Sequence, residues 1–153
     1  MDAATWAALL CSAIVSTQAV SKPTSESMAV CMEVAAKADD AGLPIEVAVA
    51  LAFTESRFNA SAVSNAGAKG PLQVLPRFYC PGRTERGCDL VLAGIKGLQS
   101  NMRRYGKQPL DWHTVLCHWN SGHTCYRRSR LFARIVLARA DAFRHEAMIT
   151  ARE

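Results

Sequence analysis

The sequence predicts a mainly helical fold, and three observations carry that reading. Apolar residues recur at helical spacing in several segments bounded by recognisable start and stop residues, no segment of alternating polar and apolar residues marks a strand, and no internal repeat is present. The chain has 153 residues, half of them hydrophobic and only 20% charged, which suits one compact domain and excludes a disordered or collagen-like chain. Eighteen Lys and Arg against thirteen Asp and Glu give a net charge of +5, a balance that favours anionic partners such as nucleic acid, acidic lipid or cell-wall polymer.

The first element is the uncharged stretch 3–20, AATWAALLCSAIVSTQAV. Its apolar run and small-residue ending, with Thr17 and Ala19 at the positions of a cleavage site, are those of a signal peptide, although Met1-Asp2 is not a basic start. A membrane-inserting helix and an ordinary packed helix are the other readings, and the run is short for a bilayer span. Residues 21–27 read as a linker, so the chain divides into a hydrophobic N-terminal segment, 1–27, and a domain over 28–153.

Met28, Cys31, Met32, Ala35 and Ala38 lie on one helical stripe that Gly42 stops, and Pro44 suits the first turn of the next helix, which runs to Phe58. Residues 59–88 form a long irregular segment with three of the six prolines, too long for a plain connection and therefore expected to be functional. Asp89 caps a third helix ending before Gly106. Pro109 to Asn120 makes a fourth, and Arg128 to Thr150 a fifth, with Leu131, Ile135, Val136, Ala142 and Phe143 among its apolar positions.

Four of the six cysteines fall into two close pairs, Cys80 with Cys88 and Cys117 with Cys125, spacing that suits loop-stapling disulfides and an oxidising destination. His113, Cys117, His118, His123 and Cys125 also lie close in sequence, but not at the spacing of a four-ligand zinc site, and no metal or other cofactor is expected. The last helix carries Arg127, Arg128, Arg130, Arg134, Arg139 and Arg144 against Asp141 and Glu146. No base-stacking aromatic pattern accompanies them, so specific nucleic-acid readout is not expected. A solvated face or contact with an anionic wall polymer or lipid fits better.

In the second predicted helix of the domain Val47, Leu51, Thr54, Glu55 and Phe58 share a stripe, which turns Glu55 inward between apolar neighbours. Desolvation there disfavours the carboxylate and raises its pKa toward neutrality, the requirement for a general acid. The competing reading is a surface carboxylate paired with Arg57 or Lys69.

The segment around Glu55 continues as Glu55-Ser56-Arg57-Phe58-Asn59, then Ser64-Asn65-Ala66-Gly67-Ala68-Lys69-Gly70-Pro71-Leu72-Gln73-Val74-Leu75-Pro76, and later Trp119-Asn120-Ser121-Gly122. Together these resemble the lytic transglycosylases of the soluble type and the related goose-type lysozymes over about residues 40–140. The resemblance implies a lysozyme-like helical domain with long irregular substrate-groove loops. It implies that Glu55 is the single catalytic acid/base, with Ser56 its neighbouring serine, Gln73 lining the sugar groove and Asn120 beside the cleaved bond. The implied substrate is the β-1,4 bond from N-acetylmuramic acid to N-acetylglucosamine in peptidoglycan, with a 1,6-anhydro end as product.

Trp119 stands where the family has tyrosine, and Phe132 where another tyrosine is expected on the last helix, so a phenol beside the acid is absent or supplied by Tyr126. Trp119, Tyr126 and Phe132 complete the candidate substrate contacts. Glu85, Asp89 and Asp111 are the other acids near loops, where capping is their expected role. A one-carboxylate, substrate-assisted mechanism follows.

The implied location is periplasmic or secreted, in a secretion or conjugation apparatus, or in a phage virion, with membrane contact through residues 3–20. A hydrolytic lysozyme on the same scaffold and an inert glycan-binding protein are the alternatives within this fold. A basic DNA-binding module is the alternative outside it.

Overall fold

The computed structural model describes residues 1–20 and 24–153. Seven α-helices follow in order: α1 Ala3–Thr17, α2 Thr24–Asp40, α3 Ile45–Ser56, α4 Pro76–Tyr79, α5 Leu90–Tyr105, α6 Trp112–Ser121 and α7 Arg127–Arg152, with a 3-10 turn Pro81–Arg83 after α4. Among the described residues the only β pairing is a pair of isolated bridges, Val63 to Lys69 and Lys69 to Val74.

α3 is the centre of the bundle. Ile45, Val47, Ala48, Val49, Ala50, Leu51, Ala52 and Phe53 are all buried, and a helix apolar on every side must be enclosed by others. α1, α2 and α7 enclose it, while α5 packs on α2 and α6, and α6 on α7. α7 buries a face of mostly small residues, Ser129, Ala133, Val136, Ala140, Phe143 and Ala147. Leu131 and Ile135, expected among its apolar face, are 51% and 40% exposed. The reason lies in the backbone approach: alanines let α7 sit close against its neighbours, and the larger aliphatic residues fall on the outside.

α1 contributes Ala7, Leu10, Cys11, Ala13, Ile14 and Val15 to the same buried cluster as the rest of the chain. Asp2, at the expected basic start, caps it by accepting from the Thr5 amide at 2.8 Å. Cys11 is bonded to Cys31 on α2, joining the two cysteines that spacing alone left unassigned. The expected pairs Cys80–Cys88 and Cys117–Cys125 are both disulfides. The linker expected over 21–27 ends by Thr24, where α2 begins, because Ser27 is already buried in its first turns; residues 21–23 lie outside the described residues. No helix among the described residues is long and apolar enough to cross a membrane.

Asp89 accepts from the Leu92 amide at 3.0 Å and Asp111 from those of His113 and Thr114, so both cap helices, as their positions suggested. Asp89 also meets Lys37 at 2.7 Å, and Glu85 meets Lys69 at 2.5 Å. α6 starts at Trp112 rather than at Pro109, since its cap, not its proline, sets the first turn.

Candidate active site

α3 stops at Ser56, one residue after Glu55, instead of continuing through Phe58. Arg57 and Phe58 both take left-handed backbone, with φ of 51° and 61°, a conformation costly for side chains larger than glycine. Burial holds it: Phe58 is fully buried and meets the edge of Phe53 at 5.8 Å between ring centres. The sharp reversal leaves Glu55 in the last turn of a buried helix, facing the loop that follows.

That loop is shaped by its own motif. The Ser64 hydroxyl accepts from the Ala68 amide at 3.0 Å, and Gly67 and Gly70 have φ of 87° and 82°. Gly70 has a second reason to lack a side chain, since a Cβ there would stand 3.0 Å from the Cβ of Leu90. Leu72 and Val74 anchor the loop in the core. Ser56 ties it to α3, its hydroxyl donating to the Pro71 carbonyl at 2.8 Å. Gln73, at φ 52°, donates through Nε2 to the carbonyls of Ala62 and Gly70, both at 3.0 Å, so its amide oxygen is the end left to meet a ligand.

The result is a cavity of about 200 Å³ that brings together Glu55, Gln73, Trp119 and Asn120, with Ala66, Ala68, Leu75 and Tyr79 completing the wall. Among the described residues Glu55 is the only carboxylate on that wall. Its expected surface partners are engaged elsewhere, Lys69 with Glu85 and Arg57 donating to the Ala19 carbonyl at 2.7 Å. Desolvation by burial raises the Glu55 pKa from 4.5 to about 7. At neutral pH the group is therefore divided between acid and carboxylate.

Three of the sequence-derived candidates are not on this wall. Ser56 acts behind it as the loop tether. Tyr126 is 51% exposed at the start of α7, beneath the Arg128 guanidinium. Phe132 packs against the core. The phenol near the acid is instead Tyr79, at the end of α4, whose pKa is raised by burial and by the charge of Glu55. Its ring lies 5.8 Å from that of Trp119, tilted by 58°. Sequence reasoning missed it because α4 is a single turn inside a segment read as irregular, and what orients Tyr79 is distant: Gly97 on α5, where a Cβ would overlap the tyrosine ring. Gly97→Val is accordingly expected to displace Tyr79 and cost at least tenfold in glycan cleavage, while urea unfolding shows a smaller loss, since half-buried Tyr79 can swing outward; unchanged activity would contradict the placement.

Holding a buried carboxyl near Glu55's raised pKa also has a stability signature. The folded state binds its proton more tightly than the unfolded chain, so Glu55 costs nothing below about pH 4.5 and subtracts stability progressively up to about pH 7. Glu55→Gln is expected to raise stability by on the order of 3 kcal/mol at pH 8 and by little at pH 4. Urea midpoints at the two pH values measure the difference, and equal effects at both would contradict the assigned burial.

No curated protein sequence matches the chain. The family model described as the transglycosylase SLT domain matches residues 32–134, a span that contains Glu55, the Ser64–Gly70 loop, Gln73, Tyr79 and the Trp119-Asn120 pair. With two thirds of its length matched and a lysozyme-like helical fold around the site, the chain belongs to the SLT transglycosylase family, the peptidoglycan lytic transglycosylases.

Proposed function

We propose that Glu55 is the single acid/base of a reaction that breaks the β-1,4 bond between N-acetylmuramic acid and N-acetylglucosamine and leaves a 1,6-anhydro end. The observation that carries this is a lone carboxyl, largely protonated below about pH 7, on the wall of a cavity with no second acid among the described residues. A two-carboxylate glycosidase needs a partner at a set separation, and Glu85, Asp89 and Asp111 are held by Lys69, Lys37 and helix amides instead.

In the first step the Glu55 carboxyl gives its proton to the glycosidic oxygen as the bond to C1 breaks. The acetamido group of the same sugar, whose carbonyl oxygen lies within reach of C1, stabilises the oxocarbenium-like centre. In the second step the Glu55 carboxylate takes the proton of the sugar's own 6-hydroxyl while that oxygen bonds to C1. The carboxyl is thereby regenerated, and no water is consumed. Trp119 offers a ring face to a sugar, and the Asn120 amide and the Gln73 carbonyl oxygen offer hydrogen bonds to its acetamido and hydroxyl groups. Tyr79, kept protonated, can donate to the Glu55 carboxylate after its proton has left.

The setting we favour is local opening of the wall outside the cytoplasm, by a secretion or conjugation apparatus or by a phage virion. The exposed arginines of α7 suit contact with an anionic wall polymer. The test is release of soluble fragments from purified sacculi. Wild type should release them and Glu55→Gln should not, whereas equal release by both would remove Glu55 from the chemistry. Binding without release by wild type would leave an inert glycan-binding protein.

A further inference from the structure

α7 carries a second apolar row, on the side away from the core. Leu131, Ile135, Ala138, Ala142 and Ile149 follow one another at steps of four, three, four and seven, the spacing of a single helical stripe, and all five are exposed. The stripe lies opposite the buried row of Ser129, Ala133, Val136, Ala140 and Ala147. From Leu131 to Ile149 it runs for five turns, about 27 Å along the axis. His145 falls in the same row, and exposed Met148 lies beside its end.

The charges follow the stripe. By helical position Arg127 and Arg134 border it on one side and Arg128 on the other, with Arg152 beside its last turn, and all four are exposed. None of the ion pairs among the described residues includes any of them. Residues 127–140 contain no acid at all, so Leu131 and Ile135 stand in a wholly basic surround. Further along, Asp141 is held by Arg144 at 3.2 Å and Glu146 is partly buried.

An aliphatic row edged by arginines is matched to a surface that offers hydrocarbon with phosphate at its rim. We propose that the outer face of α7 docks on an anionic lipid bilayer, with Leu131, Ile135 and Ile149 entering the acyl boundary and the flanking arginines meeting lipid phosphates. An anionic wall polymer, the contact these arginines suit by charge alone, would leave the stripe in water. α1 is the weaker place for such a contact, because its larger aliphatic residues are in the core and its exposed ones, Ala4, Thr5, Ala8, Ser12, Ser16 and Thr17, are small or polar and include no base. No residue of α7 lies on the wall of the Glu55 cavity, so docking leaves the cavity open to a glycan strand.

The test is co-sedimentation of the full chain with vesicles of phosphatidylcholine alone and of phosphatidylcholine with an equal part of phosphatidylglycerol. Wild type should partition onto the anionic vesicles and not onto the neutral ones. Arg128→Gln/Arg134→Gln should weaken partitioning by about 25-fold, roughly fivefold for each arginine, and the loss should shrink at high salt. Leu131→Ser/Ile135→Ser should weaken it at least tenfold with the charge unchanged. Arg83→Gln/Arg86→Gln, which removes the same charge from the loop after α4, should change it little. These positions are exposed, and near-ultraviolet circular dichroism checks that each variant keeps the fold. Glu55→Gln should partition as wild type does, so the result stands apart from whether the cavity cleaves glycan. Partitioning that survives Leu131→Ser/Ile135→Ser, or that falls equally with Arg83→Gln/Arg86→Gln, would overturn the proposal and leave only diffuse attraction of a basic protein. So would absence of partitioning together with binding to soluble teichoic acid, which would assign the arginines to a wall polymer.

Discussion

Glu55→Gln is expected to lower strand cleavage by about 10²- to 10⁴-fold, toward the upper end because one group serves as acid in the first step and base in the second. The glutamine keeps the size and most of the polarity of the side chain but has no proton to give. The pH profile supplies an independent check. Only the protonated form can start the reaction, so kcat/KM should be level below about pH 7 and fall tenfold per unit above it, following the carboxyl that burial has raised to about that value. The residual activity of the variant should lack this limb. A wild-type profile that rises through pH 5 and stays high to pH 9 would mean that Glu55 acts as a carboxylate, and that another group donates the proton.

Removing residues 1–20 is expected to abolish the cooperative fold. Leu10, Ile14 and Val15 are almost wholly buried, and each contributes roughly 1.5 to 3 kcal/mol through that burial. The Cys11–Cys31 bond, across 20 residues, adds about 3 kcal/mol. Together these are comparable to the 5 to 15 kcal/mol that typically separates a folded domain from its unfolded chain. The loss also reaches the site. α1 packs on α7 and α3, and the Ala19 carbonyl accepts from the Arg57 guanidinium directly after the Glu55 turn. Near-ultraviolet circular dichroism and urea unfolding of the truncated chain measure the effect. A cooperative transition at the wild-type midpoint would show that α1 is dispensable and that the segment serves as a leader.

The site was more legible in the sequence than the surroundings that tune it. The inward placement of Glu55 on the cavity wall was legible because two local signals coincide there: an acid on an apolar helical stripe and a following motif of small, turn-forming residues. The capping roles of Asp89 and Asp111 were legible for the same reason, since a cap depends on the three residues that follow. Tyr79 was not, because its position depends on the missing side chain at Gly97, eighteen residues away on another helix. Tyr126 and Phe132 were placed by their order in the chain, whereas the rotation of α7 is decided by which face has side chains small enough for close approach. That choice puts Leu131 and Ile135 outside and leaves Phe132 against the core. The N-terminal segment has the composition of both a leader and a core helix, and what ties it to the bundle, its packing on α2, α3 and α7 and the bond from Cys11 to Cys31, is set by partners distant in sequence.

The most direct measurement of the central claim is the mass of the ends produced when purified peptidoglycan is digested by wild type and by Glu55→Gln. A single carboxyl that hands its proton to the leaving oxygen and recovers one from the 6-hydroxyl must leave fragments lighter by one water than their hydrolytic counterparts, from wild type alone. Reducing ends in their place would contradict the account, showing that water is the nucleophile and that the scaffold carries a hydrolytic lysozyme.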